Sequence, residues 1–263
     1  MGVNRRDFLK ITGLGTLVGV GGKVTTDLVF KGQVEAQEAR PNAGALVGKR
    51  WAMVVDTKKC TEKIRKDGCK DCTIACHAVH NVPDFGNPKD EIKWIWQDTF
   101  EHICPNQHHP FTSESLEGAP FLALCNHCDN PPCVRVCPTG ATFQRDDGIV
   151  LMDFHRCIGC RFCMAGCPYG SRSFNWRDPR PFIRNAREDF PTRMRGVVEK
   201  CNFCAERLAE GKPPACVEVC KAKALIFGDL EDPHSEVREV LHEHYSIRRK
   251  PELGTMPQIY YLV

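Results

Sequence analysis

Sixteen of the seventeen cysteines in this chain stand in four quartets, and a fold that must gather each quartet around a shared centre has little freedom left. The quartets are Cys60, Cys69, Cys72 and Cys76; Cys125, Cys128, Cys133 and Cys137; Cys157, Cys160, Cys163 and Cys167; and Cys201, Cys204, Cys216 and Cys220. The third reads C-I-G-C-R-F-C-M-A-G-C-P, the C-x2-C-x2-C-x3-C-P run that holds [4Fe–4S] clusters in pairs. Short loops let three thiolates grip one cubane while the fourth reaches a neighbouring one. A disulfide framework belongs to short secreted chains with too little core, and this chain has 263 residues. Structural zinc accepts C-x2-C pairs, but it gives no reason for the closures Cys137-Pro138 and Cys167-Pro168. The C-x2-C-H signature of c-type haem attachment is absent. The quartets therefore predict about four [4Fe–4S] clusters.

A repeated unit surrounds the quartets. A short apolar strand leads into each first cysteine, at Trp51–Val55, Phe121–Leu124, Ile149–Met152 and Val197–Val198. A second strand follows the last three quartets, at Ala141–Gln144, Ser173–Trp176 and Ala224–Phe227. Strand, cysteine loop, short helix, strand is half of a two-cluster module, so four halves make two modules. The second and third quartets join through the polar turn Arg145-Asp146-Asp147-Gly148 and form one module; the first and fourth pair around it. In such modules the last cysteine of each run serves the other cluster. The expected ligand sets are Cys125, Cys128, Cys133 and Cys167 (cluster A) and Cys157, Cys160, Cys163 and Cys137 (cluster B). The remaining two are Cys201, Cys204, Cys216 and Cys76 (cluster C) and Cys60, Cys69, Cys72 and Cys220 (cluster D). The fold class is α+β, with two dicluster-ferredoxin-like modules, small sheets, short helices and long loops.

The chain opens with N-R-R-D-F-L-K from Asn4, followed by an uncharged glycine-rich run from Ile11 to Gly22. The pair Arg5-Arg6 before an apolar stretch marks a twin-arginine leader over residues 1–36. That route exports folded proteins, which suits clusters inserted in the reducing cytosol; the expected location is the periplasmic face of the cytoplasmic membrane. No later stretch approaches 18 consecutive apolar residues, so membrane contact must come through a partner. A net charge of +3 gives no footprint for nucleic acid. The remaining boundaries fall at 37–124 (first quartet plus an insertion), 125–178 (central module), 179–228 (linker and fourth quartet) and 229–263 (tail).

The insertion from Ala78 to Pro120 holds Ile92-Lys93-Trp94-Ile95-Trp96, which alternates like a half-buried strand with its tryptophans in packing roles. His102, His108 and His109 read as surface histidines in a partner-facing loop, with a metal or haem edge as the alternative. Cys104 lies outside every quartet and reads as an inert, partly buried thiol or a substitute ligand. The tail should form a helix capped by Asp232, with Pro233 at its first position and Val237, Val240, Leu241 and His244 on one face. Tyr260–Val263 then packs on a module or under a neighbouring subunit.

C-N-H-C-D-N-P-P-C-V-R-V-C-P-T-G-A from Cys125, C-N-F-C-A-E-R-L with P-A-C-V-E-V-C, and the closing K-P-E-L-G-T carry a resemblance to the four-cluster subunits of the dimethyl-sulfoxide and polysulfide reductase family. It spans nearly all of Trp51–Val263. A-C-H-A-V-H-N-V-P, I-K-W-I-W, R-S-F-N-W-R-D-P-R-P-F and F-G-D-L-E-D-P-H-S-E-V-R resemble the DsrO-type group, periplasmic iron–sulfur subunits of dissimilatory sulfur metabolism. The resemblance implies a non-catalytic electron relay. Its implied partners are a quinone-interacting NrfD-type membrane subunit (DsrP-like), a periplasmic multihaem cytochrome c (DsrJ-like) and further DsrMK-like subunits linked to sulfite reduction. The same relay in a molybdopterin-containing respiratory reductase is the alternative.

Two features depart from the family. Eight residues, T-E-K-I-R-K-D-G, separate Cys60 from Cys69 where two are common, and they are expected to loop out. Lys221 follows Cys220 where proline is usual, with Lys223 close by; the two either raise a cluster potential or are merely solvated. The chain offers no nucleotide fingerprint and no nucleophile with a base. Four cysteine ligands per cluster leave no open site for substrate, so no catalytic residue is assigned.

Overall fold

Strands from the beginning and the end of the described residues meet in one sheet. The structure is a computed structural model and describes residues 43–263; the expected leader lies outside them. Strand β1 (Trp51–Asp56) is buried on both faces, as its unbroken apolar run requires. It lies between β8 (Leu225–Asp229), which is antiparallel, and β10 (Ile259–Leu262), which is parallel; β9 (Ser246–Ile247) closes the edge. Val55 opposes Leu225. The strand leading into the first quartet therefore pairs with the strand leaving the fourth, and the tail packs back on the modules.

The central module carries its expected hairpin. β4 (Thr142–Gln144) and β5 (Val150–Met152) pair through a turn in which the Gly148 amide donates to the Arg145 carbonyl at 3.0 Å. The outer strands do not stay within a module. β3 (Pro120–Leu124), leading into the second quartet, pairs with β2 (Ile95–Thr99) of the insertion. β6 (Ser173–Phe174), leaving the third quartet, pairs with β7 (Val198–Glu199), leading into the fourth. The two modules are thus laced together.

Four expectations are corrected. The insertion strand begins only at Ile95, and Ile95 is buried along with Ile92, Trp94 and Trp96, which leaves Lys93 as the side chain of Ile92–Trp96 that reaches solvent. The strand expected at Ser173–Trp176 stops at Phe174, and Trp176 is exposed. The tail helix α8 (Glu236–Glu243) is preceded by Ser235, because Asp232 caps the turn before it through the His234 amide at 2.9 Å; His244 is exposed rather than on the Val237 face. The eight residues between Cys60 and Cys69 do not loop out. The first seven belong to helix α1 (Thr57–Asp67), started by the Asp56 carboxylate accepting from the Lys59 amide, and the eighth, Gly68, ends it at φ +61.

A fully buried ion pair ties the layers together. Arg193 and Glu199 meet at 2.6 Å with both side chains shielded from solvent. Glu199 also accepts from the Trp94 indole at 3.0 Å and from the Asn175 amide, while Arg193 donates to the Asn81 carbonyl at 2.8 Å. One network therefore joins the insertion, through Asn81 and Trp94, to the exit of the third quartet and the entry of the fourth.

Candidate iron–sulfur sites

The local repeat is visible in the backbone. In the C-x2-C loops of the last three quartets the third residue, His127, Gly159 or Phe203, has positive φ. This left-handed turn directs successive amides inward toward the sulfurs. The Phe203 amide donates to Cys201 Sγ at 3.5 Å. Glycine is needed at 159, where a Cβ would collide with the Gly196 carbonyl. Three residues past each last cysteine the chain again turns left-handed, at Gly140, Gly170 and Lys223. Amides then return to the preceding sulfur, from Thr142 to Cys137 at 3.5 Å and from Ala224 to Cys220 at 3.3 Å.

The thiols collect into groups. Cys60, Cys69, Cys72 and Cys220 line one small cavity together with Ile64, Gln97 and Leu122. Helix α1 brings Cys60 to that wall despite the long spacing. Burial, and then repulsion from Cys72, Cys220 and Cys69, pushes the Cys60 thiol up to about 12. Helix α2 (Asp71–Val79) carries Cys72 and Cys76 on its buried side and packs against α7 (Ala215–Glu218), which carries Cys216. Burial raises Cys76 strongly, with Cys201, Cys216 and Cys204 as its opposing thiolates. Cys128 is raised to about 12 by burial and by Cys125, Cys133 and Cys167. Cys163 is raised by burial, with Cys157 and Cys133 opposing it. Helices α4 (Pro132–Arg135) and α5 (Phe162–Ala165), bearing Cys133 and Cys163, pack on each other. Cys137 is half-buried and Cys160 is exposed beyond them.

These groups adjoin one another in turn. Cys72 opposes both Cys76 and Cys216, Cys125 opposes Cys201, and Cys133 opposes Cys163. The order runs from the Cys60 cavity, through the Cys204 group, to the Cys128 group and then to Cys157 and Cys163.

Thiols so buried and so mutually repelled are poor thiolates unless a cation holds them, and no disulfide joins any of them. The surrounding donors fit a cluster. Asn126 Nδ2, His127 Nε2 and Arg172 Nη2 are buried without a hydrogen-bond partner. The His127 ring takes the Val150 amide on Nδ1 at 3.1 Å, which leaves the proton on Nε2, and it stacks on Phe203 at 3.7 Å. Buried donors beside thiolates are satisfied by the sulfur of a bound cubane.

Several groups escaped the sequence reading. Lys200 is buried, and its Nζ donates to the Val150 and Cys201 carbonyls. Cys125, Cys201 and Cys133 surround it. Arg172, also buried, lies beside Cys133, Cys163 and Cys125 and donates to Thr142 Oγ1 at 3.1 Å. The tail supplies Thr255, whose hydroxyl bonds Cys128 and meets Tyr169.

Lys221 and Lys223, by contrast, are exposed, and Lys221 pairs with Asp71 at 3.2 Å, which favours the solvated reading. Cys104 packs in the apolar core, with burial pushing it up to about 11 against the opposing charge of Arg249, as an inert thiol should. His108 and His109 are exposed, and His102 bonds Asp98 at 2.8 Å. Among the described residues the one compact His–Cys–carboxylate group is His80, Cys204 and Glu206, apart from that loop.

The profile of the 4Fe-4S dicluster domain family matches residues 119–180 and 188–230. Over 98% of its length the chain is 38% identical to the Hdr-like menaquinol oxidoreductase iron–sulfur subunit 1 of Archaeoglobus fulgidus, covering 97% of that protein. It is 36% identical to NrfC of Escherichia coli, over 98% of this chain and 94% of that protein. It is 39% identical to a putative dimethyl sulfoxide reductase iron–sulfur subunit of Halobacterium salinarum, over 81% of this chain and 78% of that protein.

Proposed function

Because the chain belongs to the family of iron–sulfur electron-transfer subunits of oxidoreductase complexes and holds multiple [4Fe–4S] clusters, we propose that it is a four-cluster relay in a complex of dissimilatory sulfur metabolism. In this reading it is the DsrO-type subunit of a DsrMKJOP-like assembly on the periplasmic face of the membrane. It passes electrons between a quinone-interacting NrfD-type subunit and a multihaem cytochrome c.

The packing of neighbouring cysteine groups against one another carries the relay: Cys60, Cys69, Cys72 and Cys220 share one cavity, α2 bears both Cys72 and Cys76 and packs on the Cys216 helix, and the Cys133 and Cys163 helices pack together. The four ligand sets are those given by the exchange of last cysteines: D with Cys60, Cys69, Cys72 and Cys220, then C with Cys76, Cys201, Cys204 and Cys216. A with Cys125, Cys128, Cys133 and Cys167 comes next, and B with Cys137, Cys157, Cys160 and Cys163 comes last. Bound there, each cluster supplies a one-electron station. The protein's own part is to fix the sulfurs, exclude water and place cations and amides around them.

A second reading keeps the relay and changes the machine. The likeness to a dimethyl sulfoxide reductase iron–sulfur protein supports a place in a molybdopterin-containing reductase. Mass spectrometry of what co-purifies from gently solubilised membranes separates the two. We expect an NrfD-like membrane protein together with a multihaem cytochrome. A large molybdopterin subunit in their place would overturn the sulfur-metabolism assignment and leave the relay.

A further inference from the structure

At the Cys160 end exposed apolar side chains, Val136, Phe143, Ile158, Phe162 and Trp176, stand among the exposed cations Arg135, Arg156 and Arg161. At the Cys60 end the surface is made by helix α1, the segment that departs from the family spacing. Its inner side carries Cys60 and Ile64 into the cavity of the first quartet. Its outer side presents Lys58, Arg65 and Lys66, and Lys70 follows beyond the Gly68 cap; all four are exposed.

Other cations here are neutralised locally, Lys59 by Asp56, Lys63 by Asp67 and Lys221 by Asp71. Among the described residues Lys58, Arg65, Lys66 and Lys70 take part in no ion pair. Three of them line an open groove along α1, whose far wall offers the hydroxyls of Ser113 and Ser115; Glu62 is the single carboxylate side chain in it. Clustered unpaired cations beside a redox centre raise the encounter rate of an anionic partner, with a strength that falls as salt rises.

We propose that the outer face of α1 is the docking surface for an acidic, transiently bound electron carrier, which exchanges electrons at the Cys60 end of the relay. The proposal rests on the relay reading and adds to it the place and charge of one partner. One electron crosses per encounter: the reduced chain loses it and the carrier gains it, or the reverse, with no bond made or broken.

Two oxidants with one haem and opposite surface charge test it: ferricytochrome c, which is basic, and its succinylated form, which is acidic. The full, cluster-loaded chain is reduced with dithionite, freed of excess reductant and mixed with each in a stopped flow. The wild type should reduce the succinylated form at least about tenfold faster at low salt than at high salt. The variant Lys58→Glu/Arg65→Glu/Lys66→Glu/Lys70→Glu should slow it about tenfold at low salt and speed reduction of the basic form. The matching quadruple Gln variant, which introduces no like-charge repulsion, should give an intermediate rate and serves if the Glu variant fails to load iron. Unchanged rates with both oxidants in iron-replete variants would overturn the docking surface and leave the relay intact. If the reduced wild type passes electrons to neither form, the relay reading fails, and the docking surface fails with it.

Discussion

Arg193→Met should weaken the cluster-loaded protein by about 3–5 kcal/mol, the usual cost of leaving one member of a buried ion pair without its partner. Both side chains of the Arg193–Glu199 pair are shielded from water. Glu199 would keep the Trp94 and Asn175 donors but lose its counter-charge. The Asn81 carbonyl would also lose the Arg193 guanidinium. Three segments converge on this network, so the lesion should loosen the insertion from the module beneath it. The readout is the denaturant midpoint for loss of visible cluster absorbance. Adding Glu199→Gln should recover a good part of the loss, because the charge disappears while an acceptor oxygen remains. An unshifted midpoint in the single variant would mean that the pair does not bear on stability.

Lys200→Met should lower the midpoint potential of the central clusters by on the order of 100 mV. A unit charge a few ångströms from a centre is worth about 4 kcal/mol at an effective dielectric constant near 20, and about 1.4 kcal/mol corresponds to ~59 mV for a one-electron couple. Lys200 is 1% exposed and sits among Cys125, Cys201 and Cys133, where the second quartet meets the fourth. Burial pulls its pKa down, and the Cys125 and Cys201 thiolates oppose that pull. Its ammonium favours the reduced, more negative cluster. Lys200→Arg keeps the charge and should hold the potential near wild type. An EPR-monitored redox titration decides the matter; identical midpoints in an iron-replete Lys200→Met protein would remove Lys200 from the tuning of the relay.

The residues that announce themselves are those whose chemistry fixes their spacing. The cysteine quartets, the apolar strands before them and the partnership of first and fourth quartets through Val55 and Leu225 were all legible. Of the three equivalent left-handed positions only Gly159 is marked by its residue type; His127 and Phe203 adopt the same turn because the loop demands it. Helix α1 had its signals in plain view, Asp56 before it and Gly68 after it, but the family spacing argued for a loop. Trp94 and Trp96 are buried in the packing roles expected of them, and what alternation missed is Ile95, buried on the opposite face. Lys200, Arg172 and Arg193 could not be told from solvated cations in turns. Their burial depends on carboxylate, carbonyl and sulfur groups that converge from distant parts of the chain.

The central claim is four complete cysteine ligand sets adjoining in turn, including the set that reaches across α1 to Cys60. It is tested most directly by iron and acid-labile sulfide analysis of anaerobically isolated protein. Four cubanes require about sixteen iron atoms per chain, falling by about four in Cys60→Ala. A value near twelve in the wild type, unchanged in Cys60→Ala, would contradict it.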